Sequence, residues 1–307
     1  MRTRSPAALA LALAPALLLL GCNFPVNDKV AVPPDLSLTD GRQFVMPETI
    51  IPAGSEKMFC WIPGWVPDQD YLLTSLEPLQ GTYGHHLLAM VSAIPREAGT
   101  VFDCTDAEQM ASLRPLVIPD RGDQAALLPP GFAVKLSAGS KVVFQSHYVN
   151  TSEHDLAVAD VARLHFPEPG STPVEAGYFI LNSTGIDLAP GQTGQVTVSC
   201  SPPQQLRALL WEGHMHYYGR SISLKRTRGG TTDTIYSVDT WQPQYRDLPP
   251  VTTYPTSSPL VVEPTDTYTL TCNYDNQTDY QVRFPTEMCA AVSYYYPALP
   301  EALVLCN

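Results

Sequence analysis

The sequence is short of positive charge. Its 307 residues hold 18 Lys and Arg against 30 Asp and Glu, a formal charge of −12. A nucleic-acid surface needs a basic patch to meet phosphates, so that class of function is excluded. After residue 20 there is no long apolar run, which excludes a later helical membrane span. There is no Cys-x-x-Cys pair, and a thiolate metal site loses its commonest pattern. Internal repeats and low-complexity stretches are also missing. Room for long helices is scarce: the 30 prolines, roughly double average usage, recur every few residues, and each removes a backbone donor.

The first 22 residues read as a targeting segment. Arg2 and Arg4 precede an apolar stretch, Ala7 to Leu20, which is too short for a bilayer and right for a signal-peptide core. It ends in Leu19-Leu20-Gly21-Cys22, similar to a bacterial lipobox, in which the Cys is lipidated and becomes the first residue. The expectation is a chain exported to the bacterial cell envelope and held there by a lipid at Cys22, on the outer rather than the inner membrane. The anchor is its only membrane contact. Loss of Arg2 and Arg4 takes the formal charge to −14. Residues 23–35 read as a polar tether.

Short runs rich in β-branched and aromatic residues fill the remainder: Val142-Val143-Phe144, Tyr178-Phe179-Ile180-Leu181, Gln195-Val196-Thr197-Val198 and Tyr268-Thr269-Leu270-Thr271. Separated by turn residues, they indicate an all-β sandwich. A short helix is expected at 106–113. About 285 residues suffice for two domains of ordinary size, with a boundary near Phe166-Pro167-Glu168-Pro169-Gly170-Ser171 that gives units 36–168 and 169–307.

With Cys22 assigned to lipid, six cysteines remain, an even number that in an exported chain indicates three disulfides. Cys60 and Cys104 are alone in the first half and are expected to pair. Cys200, Cys272, Cys289 and Cys306 share the second half, where three pairings stay open.

Five of the seven histidines fall in three groups: His85-His86, His147, and His214/His216. His214-Met215-His216 lies in an aromatic, strand-favouring stretch, and on a strand residues i and i+2 share a face. These two imidazoles are expected to grip one metal. His147 follows an Ala138-Gly139 turn on a second strand. His85 and His86 are adjacent and would face opposite ways on a regular strand, so shared ligation needs a strand end or a bulge; Gly81 and Gly84 allow one. His154 and His165 read as structural or surface residues. Imidazole suits zinc, copper, iron and nickel alike, whereas a thioether selects copper(I).

The chain resembles the copper type II, ascorbate-dependent monooxygenases, the family of peptidylglycine α-hydroxylating and dopamine β-monooxygenases, over about residues 40–306. Four motifs carry the resemblance in order: His85-His86; Gln145-Ser146-His147-Tyr148; His214-Met215-His216; and Cys272-Asn273-Tyr274-Asp275 followed by Pro285-Thr286-Glu287-Met288-Cys289 and Tyr294-Tyr295-Tyr296. The resemblance implies two jelly-roll-like β-sandwich domains with a copper in each, facing across a cleft. His85, His86 and His147 would hold an electron-transfer copper, with Gln145 a candidate in that transfer. His214, His216 and Met288 would hold the copper at which O2 reacts and an aliphatic C–H bond is hydroxylated. Two copper ions and an external one-electron reductant such as ascorbate are implied. So are the pairings Cys200–Cys306 and Cys272–Cys289. The family's substrate positions fall on Glu212, Ala290, Val292 and Tyr294. Where peptide-processing members carry an arginine that takes the substrate carboxylate, Glu212 stands here, and Ala290 and Val292 replace their Asn and Tyr. The implied substrate is a small or peptide-like molecule other than a glycine-extended peptide. The alternative is a copper-binding or copper-sensing lipoprotein that kept the ligands without turnover.

Overall fold

A computed structural model describes residues 24–117, 128–246 and 248–307. Cys22 and the leader before it lie outside these residues. Strands dominate, as the composition requires, and each of the four β-rich runs singled out above lies inside one: Val142–Val149, Val174–Ser183, Thr193–Cys200 and Thr267–Asp275. Among the described residues the one α-helix is Ala107–Ala111, capped by Asp106, whose carboxylate accepts from the N–H groups of Glu108 and Gln109. The expected helix at 106–113 stops early because Pro115 lies ahead. Leu113–Val117 forms a strand instead. No described helix is long and apolar enough to cross a membrane.

In the first half, an antiparallel five-stranded sheet runs in the order Val101–Asp103, Glu56–Trp61, Val142–Val149, Gly84–Ser92, Leu113–Val117. One face contributes Phe59, Leu87, Ala89, Phe144 and Tyr148 to a core shared with Phe44, Leu76, Ala162 and Leu164 of a three-stranded sheet. The other face carries Cys60, Met90, Cys104 and Val143. The central strand is buried along nearly its whole length, so its alternate residues Val143, Gln145 and His147 point away from the main core yet remain covered.

In the second half, a four-stranded sheet built on Thr267–Asp275 shows the clean alternation of a sheet with one wet face. Tyr268, Leu270, Cys272 and Tyr274 are buried, and the residues between them are more open. They pack against Phe179, Leu181, Trp211, Ala291 and Tyr295 of a nine-stranded sheet. The opposite face of that larger sheet offers Tyr178, Ile180, Leu210 and Tyr294 to the first core. It is therefore covered on both sides.

The large sheet also crosses the Phe166–Ser171 segment. Phe132–Leu136 pairs in parallel with residues 174–176 and antiparallel with Tyr71–Leu73, so strands from before and after that segment share one hydrogen-bonded layer.

Three disulfides close the fold: Cys60–Cys104, Cys200–Cys306 and Cys272–Cys289, with Cα separations of 5.7, 5.8 and 5.9 Å, all inside the usual range.

Candidate metal centre

His147 lies directly opposite His86 in the ladder between Val142–Val149 and Gly84–Ser92. The next rung pairs Tyr148 with Gly84 and omits His85. This is the bulge that adjacent histidines require if both are to turn the same way. The ring centroids of His85 and His86 each lie 4.9 Å from that of His147. One ligand nitrogen from each of the three lies within 4.8 Å of the others. Two glycines shape the turn that feeds the bulge: a Cβ at Gly84 would fall 2.4 Å from Gln80 Cβ, and one at Gly81 would fall 2.0 Å from the Asp28 carbonyl oxygen. Beneath the histidines, the Tyr148 and Ser146 hydroxyls donate to buried Asp160, and Gly81 N–H donates to the Tyr148 oxygen at 3.0 Å. The strand and the turn are thus tied together.

Partners assign the proton on His147. Nε2 lies 2.8 Å from Glu56 Oε1, and a carboxylate only accepts, so Nε2 carries the hydrogen and Nδ1 carries the lone pair. Burial pushes this imidazole down to about 4, and the hydrogen bond from His147 holds Glu56 at about 2. His147 is neutral at pH 7, as a ligand must be. Gln145 is buried on the same face. Its Oε1 is 3.4 Å from His86 Nε2, and its amide nitrogen lies 3.3 Å from Met110 Sδ and 3.6 Å from Cys104 Sγ.

The second group forms at the end of another strand. Leu210–His214 stops at His214, and His216 lies just beyond it, before a turn. The expected shared face survives this early end because Met215, fully buried, anchors the alternation. Two further contacts fix His216. Its backbone N–H donates to Glu287, and its Nδ1–H donates to the Thr286 carbonyl at 2.9 Å. That second bond leaves Nε2 as the lone-pair nitrogen. The Nε2 atoms of His214 and His216 are 3.1 Å apart, so both could serve one ion. Burial holds His216 well below the ordinary imidazole value.

Met288 precedes the strand Cys289–Tyr296, in which Ala290 pairs with His214. Carrying that register on sets Met288 opposite His216. The Tyr274 hydroxyl donates to the Met288 carbonyl at 3.0 Å, and the Cys272–Cys289 bridge pins the next residue. Glu287 is fully buried and accepts from the N–H groups of His216, Tyr218 and Met288; burial raises it to about 7 in spite of these three donors.

Arg246, from the 3-10 turn Pro243–Arg246, stands between the groups. It stacks 4.6 Å over the Tyr217 ring and donates to Glu56 at 2.9 Å. Its charge depresses both His147 and His216, and His86 also depresses His216, so the two histidine groups lie within one another's field.

Of the substrate positions implied by resemblance, Glu212 is buried and pairs with Val292 on the rung beside His214–Ala290. Tyr294 is a correction. It is wholly buried in the core, with its hydroxyl 2.9 Å from that of Tyr178, because the sheet face it occupies is covered by the first half. His165 pairs with Glu77, and His154 offers its carbonyl to Asn150, both structural roles as expected. No sequence signal assigned a role to Glu56 or Arg246, and Thr286 and Glu287 entered only as members of the motif around Met288. Glu287 had a signal, a carboxylate abutting the Met288 thioether; Arg246 had none, since its partners are remote in the chain.

The donor set fits copper: five imidazoles, of which His147 is held neutral and His216 is fixed in tautomer, and a thioether residue, Met288, opposite His216 by register. No curated protein matches the chain. Among solved structures, infectious bursal disease virus, Gx strain, aligns at 10% identity over 86% of this chain and 72% of the viral one, with a TM-score of 0.19. The VP2 subviral particle of the same virus aligns at 10% identity over 87% and 74%, with a TM-score of 0.18. Residues 181–307 match the family model for the C-terminal domain of copper type II ascorbate-dependent monooxygenases, so the second half of the chain is similar to that domain.

Proposed function

We propose that the chain is a copper-dependent monooxygenase that hydroxylates an aliphatic C–H bond with O2 and an external reductant of the ascorbate type. The observation that carries this reading is the pair of Nε2 atoms 3.1 Å apart at His214 and His216, with Met288 opposite His216 by register and a second, three-imidazole group whose field reaches them. His85, His86 and His147 would hold one copper; His214, His216 and Met288 would hold the other. Copper would supply one-electron chemistry at each centre, and the thioether favours the reduced ion at the second.

The chain's own groups do the positioning. Glu56 holds the Nε2 proton of His147 and leaves the lone pair on Nδ1. Thr286 does the converse for His216. Glu287 clamps the turn after His216 to Met288. Glu212, on the rung next to His214, would orient a substrate by a cationic group, and Ala290 and Val292 would leave it room. In this reading the units are 36–168 and 169–307, each with one centre, and lipid at Cys22 holds the protein to a bacterial envelope.

The test is reductant-dependent oxygen uptake by the copper-loaded protein, with labelled oxygen traced into product across a panel of amines, peptides and apolar small molecules. Tight binding of two coppers without hydroxylation of any panel member would favour a copper-binding lipoprotein; the altered Glu212, Ala290 and Val292 positions fit either a new substrate or none.

A further inference from the structure

Both ring nitrogens of His147 are engaged. Nε2–H donates to Glu56. The Arg246 Nη2 atom lies 2.9 Å from Nδ1 and 2.8 Å from Nε2. A guanidinium only donates, and no single atom lies along both ring nitrogens at once, so Nη2 rests against the imidazole beside Nδ1 and Nε2. A permanent positive charge is thereby held within 3 Å of Nδ1, the nitrogen that the Glu56 contact leaves for a metal. A copper ion on that nitrogen would meet this charge, and like charges at such a separation repel strongly where water is scarce.

The mounting of Arg246 allows it to withdraw. It arrives on a single 3-10 turn in the connection between the strands Thr231–Val238 and Val251–Thr253. Arg246 itself is buried, whereas the Glu56 side chain that also accepts from it is half exposed. An outward move of the guanidinium would keep that ion pair and give up its place 4.6 Å over the Tyr217 ring. The turn begins beside Trp241, whose indole N–H donates to the His216 carbonyl at 3.0 Å and whose ring meets Tyr245. One short segment thus touches a ligand nitrogen of the first group and the backbone of the second.

We propose that Arg246 is a displaceable cationic plug of the three-histidine group: it competes with copper for Nδ1 of His147, and copper loading drives it outward along Glu56. This rests on the copper reading of that group.

The experiment uses protein stripped of metal and titrated with copper(I), without oxygen, against a chromophoric copper(I) chelator. His216→Ala serves as background, so that the three-histidine group is read alone. Arg246→Ala in that background should bind copper(I) at least about tenfold more tightly, since a competing charge is removed. In the wild type, hydrogen exchange of residues 241–246 should quicken on copper(I) addition. Equal or weaker binding by Arg246→Ala, or protection of 241–246 that copper leaves unchanged, would overturn the plug and leave Arg246 a fixed structural cation. Should Arg246→Ala fail to fold, the exchange measurement on the wild type decides alone. Failure of the copper reading looks different: natively folded wild type and its His147→Ala variant would then both take no copper at this group.

Discussion

His147 stands opposite His86 across the ladder, and the next rung joins Tyr148 to Gly84, so His85 belongs to no rung. The extra residue turns two adjacent imidazoles to one side. Gly84→Val should spoil it, because a Cβ there meets Gln80. Copper(I) affinity at the three-histidine group should fall about 10- to 100-fold, the usual cost of disturbing a ligand's support, while copper at His214/His216 stays. Chelator-competition titration measures both; unchanged affinity would refute the role given to the bulge.

Glu287 receives three backbone N–H groups in a site closed to water. In Glu287→Gln one oxygen remains and the new NH2 opposes a donor. The loss should be about 1–3 kcal/mol, the cost of an unsatisfied buried donor, read from urea unfolding, and the thioether signal of copper(I) at Met288 should weaken in X-ray absorption. A variant as stable as wild type would count against the clamp.

Two buried groups oppose each other in pH. His147 is depressed from 6.5 to about 4, so it adds stability above 6.5 that is lost as pH falls toward 4. Glu287 is raised from 4.5 to about 7, so its stability is full below 4.5 and lost as pH rises through 7. Between pH 4.5 and 6.5 the two slopes offset. His147→Gln should remove one of them, so that metal-stripped variant loses stability relative to wild type by up to about 1.4 kcal/mol per rising pH unit. Urea unfolding across this window tests it; a parallel pair of profiles would sink the idea.

The bridges should separate stability from metal binding. Cys200–Cys306 spans 106 residues and Cys272–Cys289 spans 17; in the chain-entropy model a loop of about 100 residues is worth roughly 4.7 kcal/mol and one of about 15 roughly 3. Paired Cys→Ser variants should follow that order in stability. Copper loss at Met288 should follow the reverse order, because Cys289 adjoins Met288. Differential calorimetry and metal analysis check the two rankings.

Glu212 lies one rung from His214. Under the monooxygenase reading, amine-bearing substrates should be preferred over carboxylate-bearing ones, and Glu212→Arg should narrow or reverse the preference. Oxygen uptake with matched pairs of substrates decides it.

Much of this was legible in the chain. Strand runs, the Cys60–Cys104 pair and the need for a bulge at His85 follow from residue type and spacing, which act locally. Cys200–Cys306 and Cys272–Cys289 needed the family resemblance. Arg246 on Glu56, 190 residues apart, left no local trace, since the contact exists only once two sheets have packed. Tyr294 misled because a motif fixes a residue's neighbours in sequence but not which face of its sheet another layer will cover.

The parallel pairing of Phe132–Leu136 with residues 174–176 bears on how this protein can be cut. A scission at the Phe166–Ser171 segment would look harmless from the sequence, as that segment is proline-rich and lacks a strand of its own. It would nevertheless leave two fragments, each with a raw strand edge of unpaired amides and carbonyls. Such edges recruit foreign strands, so the separate pieces should clump unless expressed together. When co-expressed they should find one another through that seam, as a split protein does.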